Sequence, residues 1–506
     1  MNTHRTMTSS RDFLKRYMNC AVKIETAQKF YTLVCLILLV GFCQSMVFEG
    51  RVQAEVNSVS GSYYIDPVGG NDENDGSPSA PWKSFRNIIS YYQADYRPSE
   101  WVELKPGDCI VLKEGVYEET FHPGEWNKGP DGGGSFIAYF RGMHGRQDNP
   151  FVLKAYPGHK PIIDPKGKGI GVSIFQSSHW LVEGIEIRNA YGRGLSLDES
   201  KEVEVKNIHI HDTDGVDNNN IAGLYVTDCW NVEVSESTFN DNYDRICADT
   251  NGKATENSSN VVIFGGMTGG NISIHDCLVY QSLLLSHELS GGGIKYKHAS
   301  RVPQAFFHVH HNTFKNCKFF AFGSGTANTH FHHNLIVGGE GIVSRDFGGV
   351  THQVNQIFEY NTVYGAAGFS MSPTTHWRNN AFPDDPKNII FRNNIVYDTS
   401  IKYTNERGIV VVGTYMNDQV YKATIRELEF KQNCYYNPNG PVQFNMAAGF
   451  NYKDGYREGG VFSLSQWQES CGFDTDSIGA DPQFIDAANG DFRLKDGSPC
   501  KMSGRY

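Results

Sequence analysis

Residues 307–345 read FHVHHNTFKNCKFFAFGSGTANTHFHHNLIVGGEGIVSR, and two segments within them, HVHHN at 308–312 and HFHHN at 330–334, are near copies of each other. Each alternates apolar and polar residues with a period of two and ends in Asn. That is the pattern of a short half-buried strand running into a turn. Further copies stand on both sides: IEIRN at 185–189, IHIHD at 208–212, VEVSE at 232–236, ISIHD at 272–276, IFEYN at 357–361, IIFRNN at 389–394 and LEFKQN at 428–433. Their terminal polar positions are Asn189, Asp212, Glu236, Asp276, Asn312, Asn334, Asn361, Asn394 and Asn433. The spacings start at 22 residues and lengthen where turns carry insertions.

Strands this short cannot bury an apolar face alone, so each repeat must stack on its neighbours. A second strand recurs within the coil as GLSLD at 194–198, GLYVT at 223–227, GIKYK at 293–297 and GIVSR at 341–345. A coil of about two dozen residues with three short strands is what a right-handed parallel β-helix needs. The expected fold is therefore all-β, a parallel β-helix solenoid with N- and C-terminal caps. The recurrent Asn predicts a ladder of amides bonded from coil to coil. Expected boundaries are a removable segment at 1–54, an N-terminal cap and first coils at 55–160, the regular solenoid at 161–453 and a C-terminal cap at 454–506.

Composition agrees with a large globular core: 506 residues, 39% hydrophobic and 13% aromatic. With 45 basic against 56 acidic residues, the net charge of -11 offers no general attraction for phosphate, which excludes nucleic acid as an expected partner. A mean hydropathy of -0.43 with a single apolar run excludes a polytopic membrane protein. That run, YTLVCLILLVGFC at 31–43, follows Lys15, Arg16, Lys23 and Lys29 and precedes Val52-Gln53-Ala54. It is too short for a bilayer span of roughly 20 residues and suits the apolar stretch of a signal peptide. The expectation is export, to a secreted or periplasmic location, as a monomer with no membrane contact once the signal is cleaved. The cysteines past residue 54 form no CxxC pair, so zinc-finger and thioredoxin readings fail. Export permits a disulfide, with Cys471–Cys500 one candidate pairing and the others open.

The opening YYIDPVGGNDENDGSPSAPWKSF at 63–85 and the ending IGADPQFIDAANGDFRLKDGSPC at 478–500 resemble the corresponding segments of the pectin-lyase-like β-helix superfamily. A narrower stretch, GGGIK at 291–295 followed by FHVHHNTFKNC, is similar to the family-nine pectate lyases. That resemblance implies β-elimination on a uronate polysaccharide, calcium held by acidic residues on neighbouring coils, and a catalytic Lys at Lys295. The residues themselves offer material for such chemistry. Aligning the coils on Asp212 and Glu236 stacks Asp217 on Asp241, with Asn220 over Asp244 beside them. Stacked carboxylates repel unless a cation lies between them, so Asp217, Asp241 and Asp244 are the expected metal ligands. Alternation sends Lys295 and Lys297 to one outer face, where a Lys with a lowered pKa can act as base. The same two residues read equally as solvated surface lysines. His298, Arg345 and Tyr225 are the expected sugar contacts.

Three functions remain open on the sequence. The first is a calcium-assisted polysaccharide lyase of the pectate type. The second is a β-helix glycoside hydrolase using a carboxylate pair such as Asp217 with Asp241 or Asp244. The third is a non-catalytic protein that binds an extracellular polysaccharide. The clustered histidines 308, 310, 311, 330, 332 and 333 add a candidate transition-metal site.

Overall fold

The computed structural model describes residues 62–123, 135–215, 220–245, 258–265, 269–283, 291–298, 302, 304–322, 327–345, 353–372, 387–399, 408–412, 427–446 and 460–504. The expected signal segment lies outside them, and among them no helix is long and apolar enough to cross a membrane.

Period-two alternation with turns every few residues produces three sheets of 12 strands each among the described residues. Every coil visits them in the same order. One coil runs through Ser178–Glu183 in the first sheet, Glu186–Arg188 in the second and Arg193–Asp198 in the third. Each strand then pairs in parallel with its counterpart one coil later, as Val203 does with Val232 and Leu195 with Leu224. Alternate residues point inward and fill one continuous core with Leu195, Leu224, Val261, Ile294, Phe319 and Ile342 stacked in line. The opening strand Ser62–Ile65 pairs in parallel with Cys109–Leu112, and the C-terminal strand Gly460–Phe462 is antiparallel to Phe444–Met446. Beyond it, Leu464–Gln466, started by a Ser463–Gln466 capping box, runs into the π-helical turn Trp467–Cys471. Trp467 is buried against Phe430 and Phe444, covering the last apolar layer.

The corner from the first sheet to the second sets the register. At each coil a residue in the left-handed region makes the bend: His311, His333, Tyr360, Asn393 and Gln432 all have φ near 50°. The next residue, Asn312, Asn334, Asn361, Asn394 or Asn433, turns inward and is at most 1% exposed. The backbone N–H and Nδ2 of Asn334 both donate to Oδ1 of Asn361, at 3.0 and 3.1 Å, while Nδ2 also donates to the carbonyl of Val309 in the coil before. The pattern repeats along the row, whose members are 22, 27, 33 and 39 residues apart. Asp474, fully buried, closes the open end by accepting from Asn433 Nδ2, Ser477 Oγ, Tyr435 OH and Trp467 Nε1.

Two expectations are corrected. The segments IEIRN and IHIHD belong to the second sheet, whereas VEVSE and the later copies belong to the first, so the row of polar ends slips between sheets. Asp212 is the coil equivalent of Asp241, not of residue 236, because His211 pairs with Asn240. At the ladder position the earlier coils carry Ser237 and Cys277. The cysteine pairing also differs: Cys500 bridges Cys434, and Cys471 is free and buried in the main core. Cys434 and Cys500 meet in a separate apolar cluster with Ile395 and Phe484, under the C-terminal hairpin.

Replacing Asn361 by Ala removes the acceptor of two buried donors, and we expect a loss of about 3 kcal/mol in urea unfolding. Asn388→Ala, in an exposed Asn pair with Asn355, is expected to cost only about 1 kcal/mol in the same measurement, most of it from placing Ala at a left-handed φ of 52°.

Candidate active site

Outward residues of the third sheet form two rows. One runs Ser173–Ser196–Tyr225–Val262–Lys295, and the other runs Phe175–Asp198–Thr227–Phe264–Lys297. Both lysines sit on the strand Gly292–Lys297 and alternate with the core residues Ile294 and Tyr296, so they leave on the outer side together. They are covered all the same. Lys295 is 1% exposed and Lys297 5%.

Beside Lys297 part of the cover is aromatic. Ala222, Tyr225 and Val262 make a small cluster apart from the main core, with Phe264 packed on it. Lys297 Nζ lies 5.3 Å from the centre of the Phe264 ring and donates to Oδ1 of Asn220 at 2.6 Å. His298 stacks on the same ring, with centroids 5.3 Å apart and planes 10° from parallel. At the other end of the row the Arg193 guanidinium lies over Tyr225, 3.4 Å from the ring centre, with Nη1 donating to Ser196 Oγ. Ser196 Oγ donates in turn to Asp198 Oδ2. Withdrawal from water disfavours the ammonium form, and burial pushes Lys297 down to about 8. His298 is lowered too, by burial and by the charge of Lys297. The patch therefore holds an amine near neutrality beside flat apolar surfaces, which suits a proton acceptor next to a sugar face.

The structure thus gathers Tyr225, Lys295, Lys297 and His298. Arg345 ends the strand Gly341–Arg345 and pairs with Phe322, in the row that Lys297 occupies. Of the expected metal ligands, two lie among the described residues. Asp217 lies outside the described residues. Asp241 Oδ1 accepts from Ser282 N and its Oδ2 from Ser282 Oγ and Asn240 Nδ2. Asp244 is 1% exposed on the turn leading toward the third sheet. The predicted stack of Asp217 on Asp241 rested on the slipped register, and the residue beneath Asp241 is Asp212.

At that corner a cleft of about 530 Å³ is lined by Asp164, Tyr191, Asp212, Asp214 and Arg245. Arg245 Nη2 donates to Asp212 at 2.6 Å and Nε stands 3.6 Å from Asp214, so a guanidinium fills the place a cation would take. Burial alone would raise Asp212, but His211 and Arg245 hold its carboxyl below the usual range. The carboxylates of this cleft have protein partners: Arg245 for Asp212 and Asp214, and Arg188 for Asp164. Arg193, Asn220 and Phe264 complete the patch around the lysines. Asn220 is read from the sequence only as a neighbour of Asp244, Phe264 escapes because the coil Ser258–Phe264 opens with SSN where the recognisable third-sheet strands have Gly, and Arg193 stands one residue before the recognised GLSLD, outside the repeated motif.

Residues 169–336 match the family described as right handed beta helix region. The protein is a right-handed parallel β-helix. Among solved structures, the chain is similar to the pectate lyase Pel9A, at 15% identity over 89% of this chain and 91% of that one, with a TM-score of 0.36. It is similar to a PL6 family polysaccharide lyase from Pseudopedobacter saltans, at 12% identity over 80% and 95%, TM-score 0.43. It is also similar to a GH136 lacto-N-biosidase from Eubacterium ramulus, at 14% identity over 74% and 64%, TM-score 0.35. A search of curated proteins gives no match.

The titration of Lys297 can be read directly. Its acylation by acetic anhydride, followed by mass spectrometry, is expected to rise with a midpoint near pH 8, and Phe264→Ala, by admitting water, is expected to move that midpoint up toward the ordinary lysine value.

Proposed function

We propose that this protein acts on an extracellular polysaccharide and cleaves a uronate-containing chain of the pectate type by β-elimination on the outer face of the third sheet. The observation that carries the reading is the pair of lysines at alternate positions of one strand, leaving on the same outer face beside Phe264 and His298, with the Lys297 amine held by Asn220.

A uronate's C5 proton becomes acidic enough to leave only if its carboxylate is neutralised. In this reading the Lys295 ammonium faces that carboxylate and the neutral Lys297 amine takes the proton from C5. The electron pair left on C5 forms the C4–C5 double bond as the C4–O bond breaks, and the departing oxygen takes a proton from water. The family resemblance alone gives the base's role to Lys295. We assign it to Lys297 because burial brings that amine near neutrality. Asn220, accepting from Lys297 Nζ, aims the amine, and the exposed His298, stacked on Phe264, stands beside it for the sugar, while Tyr225 is buried under Arg193. This arrangement needs no metal, whereas the calcium expected from the resemblance would call on Asp217, Asp241 and Asp244. The hydrolase reading would call on Asp217 with Asp241 or Asp244, and of these Asp241 is engaged by Ser282 and Asn240.

The test is ultraviolet absorbance of the unsaturated product on pectate, pectin and alginate, with and without chelator. We expect absorbance to grow on one uronate at a rate that rises through about pH 8, because the protonated amine below that pH cannot accept a proton. Lys297→Ala is expected to lower the rate by about 10²- to 10⁴-fold and to remove the inflection, whereas Lys295→Ala lowers the rate and keeps it. Loss of activity in chelator would replace the two-lysine scheme by a calcium-assisted one. New reducing ends without absorbance would overturn elimination altogether.

A further inference from the structure

The two near-identical segments that reveal the repeat place like residues in register on the first sheet. His308 pairs with His330 and His310 with His332 on the parallel strands Phe307–His310 and Ala327–His332. Residues 330 and 332 leave the strand on the same side, and 308 stands beside 330 one coil away, so three imidazoles form a triangle on the outer face. One nitrogen from each of His308, His330 and His332 lies within 4.8 Å of the others, and all three rings are half-buried. The third sheet with its lysines is a different face of the solenoid, so this cluster stands apart from the polysaccharide reading.

The spare bonds of the cluster are arranged outward from that triangle. His330 Nε2 donates to Glu359 Oε1 at 2.8 Å, which leaves Nδ1 as the nitrogen able to ligate. His332 Nδ1 shares a hydrogen bond with His333 Nδ1 at 2.9 Å, which leaves Nε2. Glu359 is itself fixed by Arg392 Nε at 2.6 Å. A carboxylate behind a histidine, held in turn by a further group, is the support that orients a metal-bound imidazole and fixes its tautomer. Stacking holds the rings as well: His332 lies 5.0 Å from His310, and His310 lies 4.9 Å from His275, with planes within 13° and 1° of parallel.

We propose that His308, His330 and His332 bind one divalent transition cation of the zinc, nickel or copper class, with Glu359 as the outer support of His330. Imidazole nitrogens suit borderline cations and not magnesium or calcium, which prefer oxygen. Around a zinc-class ion, bonds of about 2.0–2.1 Å put ligand nitrogens roughly 3.3 Å apart, so side-chain rotations on the order of 1 Å close the set. Three ligands leave one tetrahedral position open toward solvent. A second triangle of the same shape, Glu186, His209 and His211, makes the contrast. There His211 spends one nitrogen on Asp212 and the other on Glu186, and His209 Nε2 is bonded to Asn240.

Calorimetric titration of the untagged full chain with Zn²⁺, Ni²⁺, Cu²⁺ and, as control, Mg²⁺ tests the site. We expect one equivalent of a borderline cation and no Mg²⁺, with that equivalent lost in the His308→Ala/His332→Ala double variant and kept in His209→Ala. Glu359→Gln is expected to weaken it about 10- to 100-fold. In the unsubstituted chain, Zn²⁺ should protect His308, His330 and His332 from diethyl pyrocarbonate, a reading that needs no variant to fold. No uptake by the native chain, uptake retained by a folded double variant, or protection confined to His209 and His211 would overturn the proposal.

Discussion

Everything in this solenoid hangs on a corner where the backbone bends through a left-handed residue and an Asn follows it inward. A parallel sheet alone fixes spacing between coils but not their register, since a slip of one residue exchanges core and solvent faces along a whole strand. The Asn312 to Asn433 row removes that freedom. Each amide joins backbone and side chain of the coil before to the coil after, in an interior where an unpaired polar group costs more than a hydrogen bond returns. Asp474 ends the row with four donors, which is why a carboxyl can be fully buried there, its pKa raised by burial.

The fold was legible because it is periodic. HVHHN and HFHHN announce strand, turn and ladder within five residues, and five of the nine predicted polar ends are ladder asparagines. Asn189 and Asp212 missed because short strands of the first and second sheets carry the same alternation, so IHIHD at 208–212 looks like VEVSE at 232–236. Glu236 and Asp276 stand at the left-handed bend one residue before the ladder position, which Ser237 and Cys277 fill. Alternation reports that a strand is half-buried, not which sheet holds it. The slip mattered little for the fold and a great deal for the carboxylates, whose expected stack depended on coil register alone.

The direction in which the lysines leave their strand was legible because that argument was local. The third-sheet alignment of Leu195, Leu224 and Ile294 was correct, so Lys295 and Lys297 do share an outer face. Their burial could not be read from the strand, since it comes from neighbours such as Phe264, on a coil that the pattern missed. The cysteines show the same limit. Cys471 and Cys500 are both near the C-terminus in sequence, but the partner of Cys500 is a second-sheet residue 66 positions earlier.

That bridge has a mechanical meaning. A stack of coils that touch only their neighbours comes apart from its ends, one layer after another, because no contact farther inside resists the first to leave. With Cys434 tied to Cys500, the chain beyond the last ladder strand is looped back onto the coil it would otherwise peel from. A pull on the C-terminus is then carried by the covalent link into Cys434–Tyr436, a strand already paired to Ile395–Tyr397, and the hairpin at the end is shielded from the load. Under oxidising conditions the solenoid is a rope whipped at one end.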